Sequence, residues 1–362
     1  MNPKSRSRSK CMFGKRNTIA VGRAASGIYL ILRRHFANGR VLVPANICYA
    51  AIYPVIYAGL EPVFCDVDPS TGNVTPAEID RAASSGIKAV IVPHMYGNPV
   101  CGMNEIASFC AERGILLIED CASAMGAEVD GRATGSFGDY VIYSTGYAKT
   151  LDLGLGGFVA SDLPLEEIAE DERSLPRHAS DVEQLEKEFS RNYRLWRNSN
   201  TPMEQSPFSD YFWRRDFRRL FVFGIPAGLS EKMSNAVRAR LASEISMRRT
   251  ACGVYDRCLT ESGGRHVRGY SFGEGAVPWR WCVFVRPEIR RRVIDALLEH
   301  KVPVSDWYPS VVDLFHVEDR FANARAMGES LLNFPLGLQE SEIRSCVNLL
   351  VETTNEICEV EK

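Results

Sequence analysis

Residues 115–157 read ILLIEDCASAMGAEVDGRATGSFGDYVIYSTGYAKTLDLGLGG: a strand, a turn-rich passage, a second strand and a glycine-rich loop in succession. The apolar run from Ile115 to Ile118 predicts a buried strand that stops at a carboxylate pair, Glu119 and Asp120. A second strand, Tyr140 to Tyr143, runs into Ser144, a small-residue turn and a lone lysine, Lys149, ahead of Gly154, Gly156 and Gly157. Singly, these residues are ambiguous. An Asp closing an apolar strand also suits a metal site, a phosphoacceptor or a helix cap, and a Lys in a glycine loop also suits a phosphate. In this order they match what pyridoxal 5′-phosphate (PLP) chemistry requires. That chemistry needs a lysine to bond the cofactor carbonyl and an aspartate to keep the pyridine nitrogen protonated, so that the ring accepts carbanion electrons.

On the N-terminal side the chain alternates between β-rich and helical runs: VLVPAN (41–46), ICYAAIYPVIYAG (47–59), EPVFCDVD (61–68), IKAVIVPHMYG (87–97) and NEIASFCAERG (104–114). Successive βα units of this kind predict an α/β fold with a mostly parallel sheet covered by helices on both faces. Ligands of such sheets sit at the carboxyl ends of the strands, which selects 46–49, 94–98 and Asp120. Further upstream, VGRAASGIYLILRRHF (21–36) predicts an amphipathic helix opened by Gly22, Ala24, Ala25 and Ser26. Its N-terminus suits either an anion, with Arg23 adding charge, or an ordinary helix start.

Beyond Asp162 the pattern weakens into polar helix. The stretch 191–219 then interleaves Tyr193, Trp196, Tyr211 and Trp213 with Arg191, Arg194, Arg197, Arg214, Arg215, Arg218 and Arg219. Three readings of it stay open: a subunit interface, a surface for an anionic substrate, and a solvated helix. A long helix from about Met233 leads into a second unit with a strand at 277–285, a helix at 287–301, the loop WYPSVVDLF (307–315) and a closing helix at 340–357. The expected organisation is a disordered basic tail over 1–16, carrying six Lys or Arg, a large cofactor-binding domain over 17–250 and a smaller C-terminal domain over 251–362.

The 362 residues carry a formal charge of −2, which argues against wholesale nucleic-acid binding. No run approaches the roughly 18 apolar residues of a membrane span, and no apolar signal region follows the start. A cytoplasmic protein is expected. The eleven cysteines are scattered singly, without metal-ligand spacing, so reduced, mostly buried thiols and no metal site are expected.

Over nearly its whole length the chain resembles the DegT/DnrJ/EryC1/StrS aminotransferases. The landmarks come in family order: GRAAS (22–26), VLVPANICYA (41–50), AGLEPVFCDVD (58–68), PHMYGNP (93–99), IEDCASAMGA (118–127), GSFGDYVIYS (135–144), the lysine loop, WYP (307–309) and LNFPLGLQESEI (332–343). The resemblance implies a fold type I PLP-dependent transferase, with a mostly parallel sheet of the seven-stranded type in the large domain and a smaller α+β domain after it. By position Lys149 is similar to the Schiff-base lysine and acid/base of the proton shift, and Asp120 to the partner of the pyridine nitrogen. Ser123 matches the position near the ring hydroxyl, and Ser144 one that binds the cofactor phosphate. Arg23 and Ala24 fall where the family places a Thr-Ala pair on that phosphate, so a guanidinium replaces a hydroxyl. Either Cys48 or Tyr49 occupies the place of the aromatic that stacks on the ring. In GLSEKMS (228–234), Ser230 and Lys232 replace an Asn and an Arg, the Asn being the residue that reaches the neighbouring subunit's phosphate.

The resemblance further implies a homodimer with active sites at its interface. It implies transfer of an amino group from a small amino donor, L-glutamate by analogy, to a keto or aldehyde acceptor such as a keto-sugar nucleotide or a secondary-metabolite intermediate, with pyridoxamine 5′-phosphate between the two halves. Lys149 argues against the family's dehydratase branch, in which a histidine stands there. Elimination or replacement chemistry, as in a PLP lyase or cyclase, stays open. Burial and a cationic cofactor are expected to keep the Lys149 amine partly neutral.

Overall fold

Residues 12–83, 86–177, 180–199, 201–317 and 320–360 are described by the structure, a computed structural model. Its strands are β1 (Asn17–Val21), β2 (Arg40–Pro44), β3 (Glu61–Cys65), β4 (Ile87–Pro93), β5 (Leu116–Asp120), β6 (Glu128–Val129), β7 (Arg132–Ala133), β8 (Tyr140–Ser144), β9 (Gly157–Ser161), β10 (Arg268–Gly269), β11 (Trp281–Phe284) and β12 (Leu331–Phe334). Seven of them form the main sheet, in the order β1-β9-β8-β5-β4-β2-β3. The pairs β8/β5, β5/β4, β4/β2 and β2/β3 are parallel, and β9 alone runs against both of its neighbours. Val90, Ile91, Val92, Leu117, Ile118, Val141 and Ile142 are buried, as expected where helices cover both faces of a sheet.

The helices are α1 (Ala24–His35), α2 (Tyr49–Tyr57), α3 (Pro76–Ala82), α4 (Met103–Arg113), α5 (Glu166–Ser174), α6 (Ser180–Ser199), α7 (Arg218–Phe221), α8 (Leu229–Ser262), α9 (Pro287–Glu299), α10 (Ala322–Ser330) and α11 (Glu340–Val360). A second, antiparallel sheet has the order β10-β11-β12. Side chains alternate across a strand, and β11 uses both faces. Trp281 and Val283 join Tyr255 of α8, Val293 of α9 and Val347 of α11, while Cys282 and Phe284 join Tyr96, Tyr270 and Tyr308. The second cluster ties this sheet to the turn that follows β4.

Residue 250 lies inside the continuous helix α8, and Val311, Val312, Leu314 and Phe315 return to the core of the main sheet. Residues 1–11 lie outside the described residues. Phe13 and Lys15 are packed: the Phe13 ring stacks on Tyr143, and the buried Lys15 amine donates to Gly138 O at 2.9 Å and pairs with Asp162 at 3.2 Å. A basic side chain with two specific partners is held in place, so Lys15 is not part of the free tail expected over 1–16.

Much of the aromatic stretch packs inside the chain, while Trp213 stays 43% exposed. Phe189, Tyr193, Trp196, Phe212, Phe217 and Phe221 turn inward and bury themselves around Tyr49 and Tyr53 of α2. Two of its arginines pair within the chain, Arg197 with Asp306 and Arg214 with Glu188 and Asp216. The ten described cysteines are free thiols, most of them buried. No described helix is long and apolar enough to cross a membrane.

Candidate active site

Four chain segments converge at the carboxyl ends of the parallel strands. β5 ends on Asp120, β8 ends on Ser144, the β2–α2 connection carries Cys48, and the α1 N-terminus carries Arg23 and Ala24. They enclose a cavity of about 200 Å³ lined by these residues together with Tyr49, Lys149, Glu186, Phe189 and Phe221. Ser123 lies just behind this wall and accepts a hydrogen bond from Lys149 Nζ at 3.0 Å. Ser230 is exposed in the first turn of α8 and does not line the cavity.

The lysine loop is held from the far side by residues that local sequence patterns did not mark. Trp279 Nε1 donates to Ala148 O at 2.7 Å, Arg248 donates to Lys149 O at 3.0 Å and to Trp279 O at 2.8 Å, and Tyr308 Oη lies 3.4 Å from Lys149 Nζ. Within the loop, Asp152 accepts the Ala148 N–H at 2.8 Å. Ala148 has φ 59°, left-handed backbone that a residue with a Cβ rarely adopts. Bonds to its N–H, its own carbonyl and the next carbonyl supply the constraint that such a backbone needs. The one advance signal was that Tyr308 lies in the WYP landmark.

Burial pushes the Asp120 carboxyl above its ordinary pKa, against the Ala122 N–H and the Lys149 charge, which pull it down. For Lys149, burial works to lower the pKa, but Tyr308, Cys48 and Asp120 outweigh it and leave it raised. Burial thus acts in the expected direction, toward the neutral amine, but in the chain without cofactor the acidic neighbours outweigh it.

Next to Asp120, Glu119 is buried and fully used. It accepts from His94 Nε2 at 2.9 Å and from the N–H groups of Gly135, Phe137 and Gly138. The Val100 N–H donates to His94 Nδ1, which fixes the tautomer with its proton on Nε2. His94, Glu119 and Cys121 place ligand-type atoms within 4.8 Å of one another. Both ring nitrogens and both carboxylate oxygens are already bonded, so the cluster acts as a brace joining the turn after β4, β5 and the GSFG turn.

A sequence model of the DegT/DnrJ/EryC1/StrS aminotransferase family matches residues 9–343. The chain belongs to that family. It is 29% identical over 319 residues to the dTDP-4-dehydro-2,3,6-trideoxy-D-glucose 4-aminotransferase of Saccharopolyspora spinosa, a match covering 84% of this chain and 75% of the relative. Its fold is similar to that of the aminotransferase TlmJ from Streptoalloteichus hindustanus (TM-score 0.74, 24% identity, 94% of this chain and 86% of the other). It is also similar to that of NtdA from Bacillus subtilis, solved with bound cofactor PMP (TM-score 0.69, 18% identity, 94% of this chain and 74% of the other).

The surroundings of Arg23, Tyr49 and Cys48 add to what the sequence left open in this DegT/DnrJ/EryC1/StrS chain. The Arg23 guanidinium, where the family's threonine was expected, pairs with Glu186 at 2.7 Å and donates to Leu220 O at 2.6 Å, so its charge is already engaged. The Tyr49 ring packs edge-on among Phe189, Tyr193, Phe221 and Trp307. Cys48 is the neighbour close enough to Lys149 and Asp120 to be influenced by both charges. Glu186, Phe189 and Phe221, from the aromatic stretch and the helix before it, complete the cavity wall.

Proposed function

We propose that this aminotransferase binds PLP in the cavity at the ends of β5 and β8 and moves an amino group from a small amino donor, L-glutamate, to a keto or aldehyde carbonyl. The observation that carries the reading is one cavity lined by a primary amine, Lys149, and a carboxylate, Asp120, beside the N-terminus of α1. The residues fit the group. Asp120 suits a protonated pyridine nitrogen, and the first N–H groups of α1, which has no side-chain cap, suit a phosphate together with Ser144. Gly157 belongs to that cradle: a Cβ there would lie 2.8 Å from Ala24 N and 2.6 Å from Tyr143 O.

Bound there, the cofactor supplies a carbonyl that takes up amines and a ring that accepts electrons. Lys149 would hold it and would supply the amine that moves a proton at the reacting carbon. Asp120 keeps the ring nitrogen protonated. Phe189 and Phe221 exclude water from one side. In the chain alone the neighbours raise the Lys149 pKa, so the neutral amine needed for base work would depend on how a bound cofactor changes the amine's surroundings.

The acceptor class we propose is a keto-sugar nucleotide, on the strength of the S. spinosa relative. Elimination or replacement chemistry is not favoured, since the family and that relative are aminotransferases. We also propose a homodimer with shared sites, supported by Tyr147, 81% exposed at the cavity wall, and by the exposed Ser230 and Lys232. The reading is tested by borohydride reduction of the loaded protein and peptide mapping. The pyridoxyl mass is expected on Lys149, and a label on another lysine overturns the assignment. An absorbance band that shifts when glutamate is added is the expected sign of the donor half-reaction.

A further inference from the structure

Tyr308 reaches the lysine from a part of the chain 159 residues away. Its side chain is 5% exposed, and its ring is wedged against Trp279 at 5.3 Å, Trp307 at 5.4 Å and Tyr96 at 6.0 Å. A phenylalanine would fill that ring pocket equally well. Burying the extra hydroxyl costs free energy unless it finds partners. Its side-chain hydrogen-bond partners among the described residues are Lys149 and Ser123. Ser123, in turn, is the other hydroxyl on the amine. The three groups form a closed triangle at the one nitrogen on which the reaction depends.

We propose that Tyr308 is a further catalytic residue: its phenol oxygen and the Ser123 hydroxyl each hold one N–H of the Lys149 amine and so turn the nitrogen's remaining valence into the cavity. In the charged form that valence is a third N–H, directed toward Asp120 and the cofactor position. In the neutral form it is the lone pair, aimed where a substrate proton is removed. The 3.4 Å separation is long for a formed hydrogen bond, and catalytic contacts of this kind tighten when ligand arrives. Tyr308 belongs to the loop after α9, whereas Lys149 belongs to the main sheet. The amine's setting is therefore completed only when the second sheet is seated against the first. The inference rests on Lys149 being the cofactor's attachment point.

The test uses the full-length chain freed of cofactor. Trace acetic anhydride is applied across a pH series and acetylation of Lys149 is followed by peptide mass spectrometry. The charged and titratable groups around the amine are Asp120 at the end of β5, Cys48 before α2, Arg248 on α8 and Tyr308 itself. Losing one hydrogen bond to a charged partner lowers the pH of half-labelling by about one unit in Tyr308→Phe. A circular dichroism spectrum matching wild type is expected for the Tyr308→Phe protein and for one carrying fluorotyrosine at 308, which reports an intact fold. Fluorotyrosine at 308 retains ring and hydroxyl, ionises more readily, and is expected to move Lys149 in the opposite direction, upward. A merely structural ring produces neither shift. An unmoved Lys149 with both residues, while borohydride still labels Lys149 in the loaded protein, overturns the role of Tyr308 and leaves the aminotransferase reading standing. A borohydride label elsewhere removes both. Should Tyr308→Phe not fold, the fluorotyrosine arm alone decides.

Discussion

Asp120 works against its surroundings. Burial favours its neutral form, and only the Ala122 N–H, the Lys149 charge and His94 draw it back toward the carboxylate. A carboxyl so poised holds a proton on a ring nitrogen more readily than one pinned low by several donors. Asp120→Asn keeps the shape and removes the charge, so kcat is expected to fall about 10²–10³-fold, the usual loss when one electrostatic contact is deleted from an active site. Steady-state kinetics on the loaded variant checks this, and turnover near wild type means that the ring's partner lies elsewhere. Asp120, Ser144 and Lys149 were legible in the sequence because each ends or follows a strand whose apolar run announces it. Tyr308, Trp279 and Arg248 were not. They reach the site from separate later segments, and no local pattern marks a residue whose partner lies about a hundred or more positions away.

Among the elements, the PHMYGNP turn shows why a motif keeps its glycine. Gly97 has φ 83°, and a Cβ there would stand 1.9 Å from Val277 O and 2.8 Å from Trp279 N. The chain from 277 to 279 lies directly on this turn, with Val277 N–H donating to Gly97 O at 3.0 Å and Trp279 N–H to Tyr96 O at 2.8 Å. Trp279 then holds the lysine loop through Ala148 O. One glycine thus sets the distance between the main sheet, the second sheet and Lys149. Gly97→Ala combines a left-handed backbone with a clash against main chain and is expected to destabilise by roughly 3 kcal/mol. Thermal unfolding reads that loss directly. An alanine variant as stable as wild type would mean that the 277–279 segment moves away freely, and its Lys149 should then be poorly placed as well.

For the whole molecule, the βα order of the main sheet was readable because period and turn chemistry are local. The division into units was less so: α8 runs unbroken through residue 250, and 311–315 returns to the first core without any change in composition. The dimer is implied by the family resemblance, and because most rings of the aromatic stretch turn inward, with Trp213 exposed, the proposal of shared sites draws on other surfaces as well. In the 228–234 segment Met233 is buried, and its sulfur lies 2.5 Å from where a Gly156 Cβ would stand, so this end of α8 is seated on the lysine loop. Ser230 and Lys232, by contrast, are exposed. With Tyr147 exposed on the same loop, a partner seated here would cover the cavity mouth, and a permanent interface of this kind buries on the order of 2,000 Å². If Ser230 and Lys232 serve the partner's cavity, then Lys149→Ala and a Ser230→Ala/Lys232→Ala double variant are damaged in complementary halves. Random exchange at equal mixing makes about half the dimers mixed, each with one undamaged site, so activity should return to about a quarter of wild type. Absence of recovery despite exchange shown by native mass spectrometry, or a monomer with full activity, removes the shared site and leaves Ser230 and Lys232 as solvent-facing residues of α8.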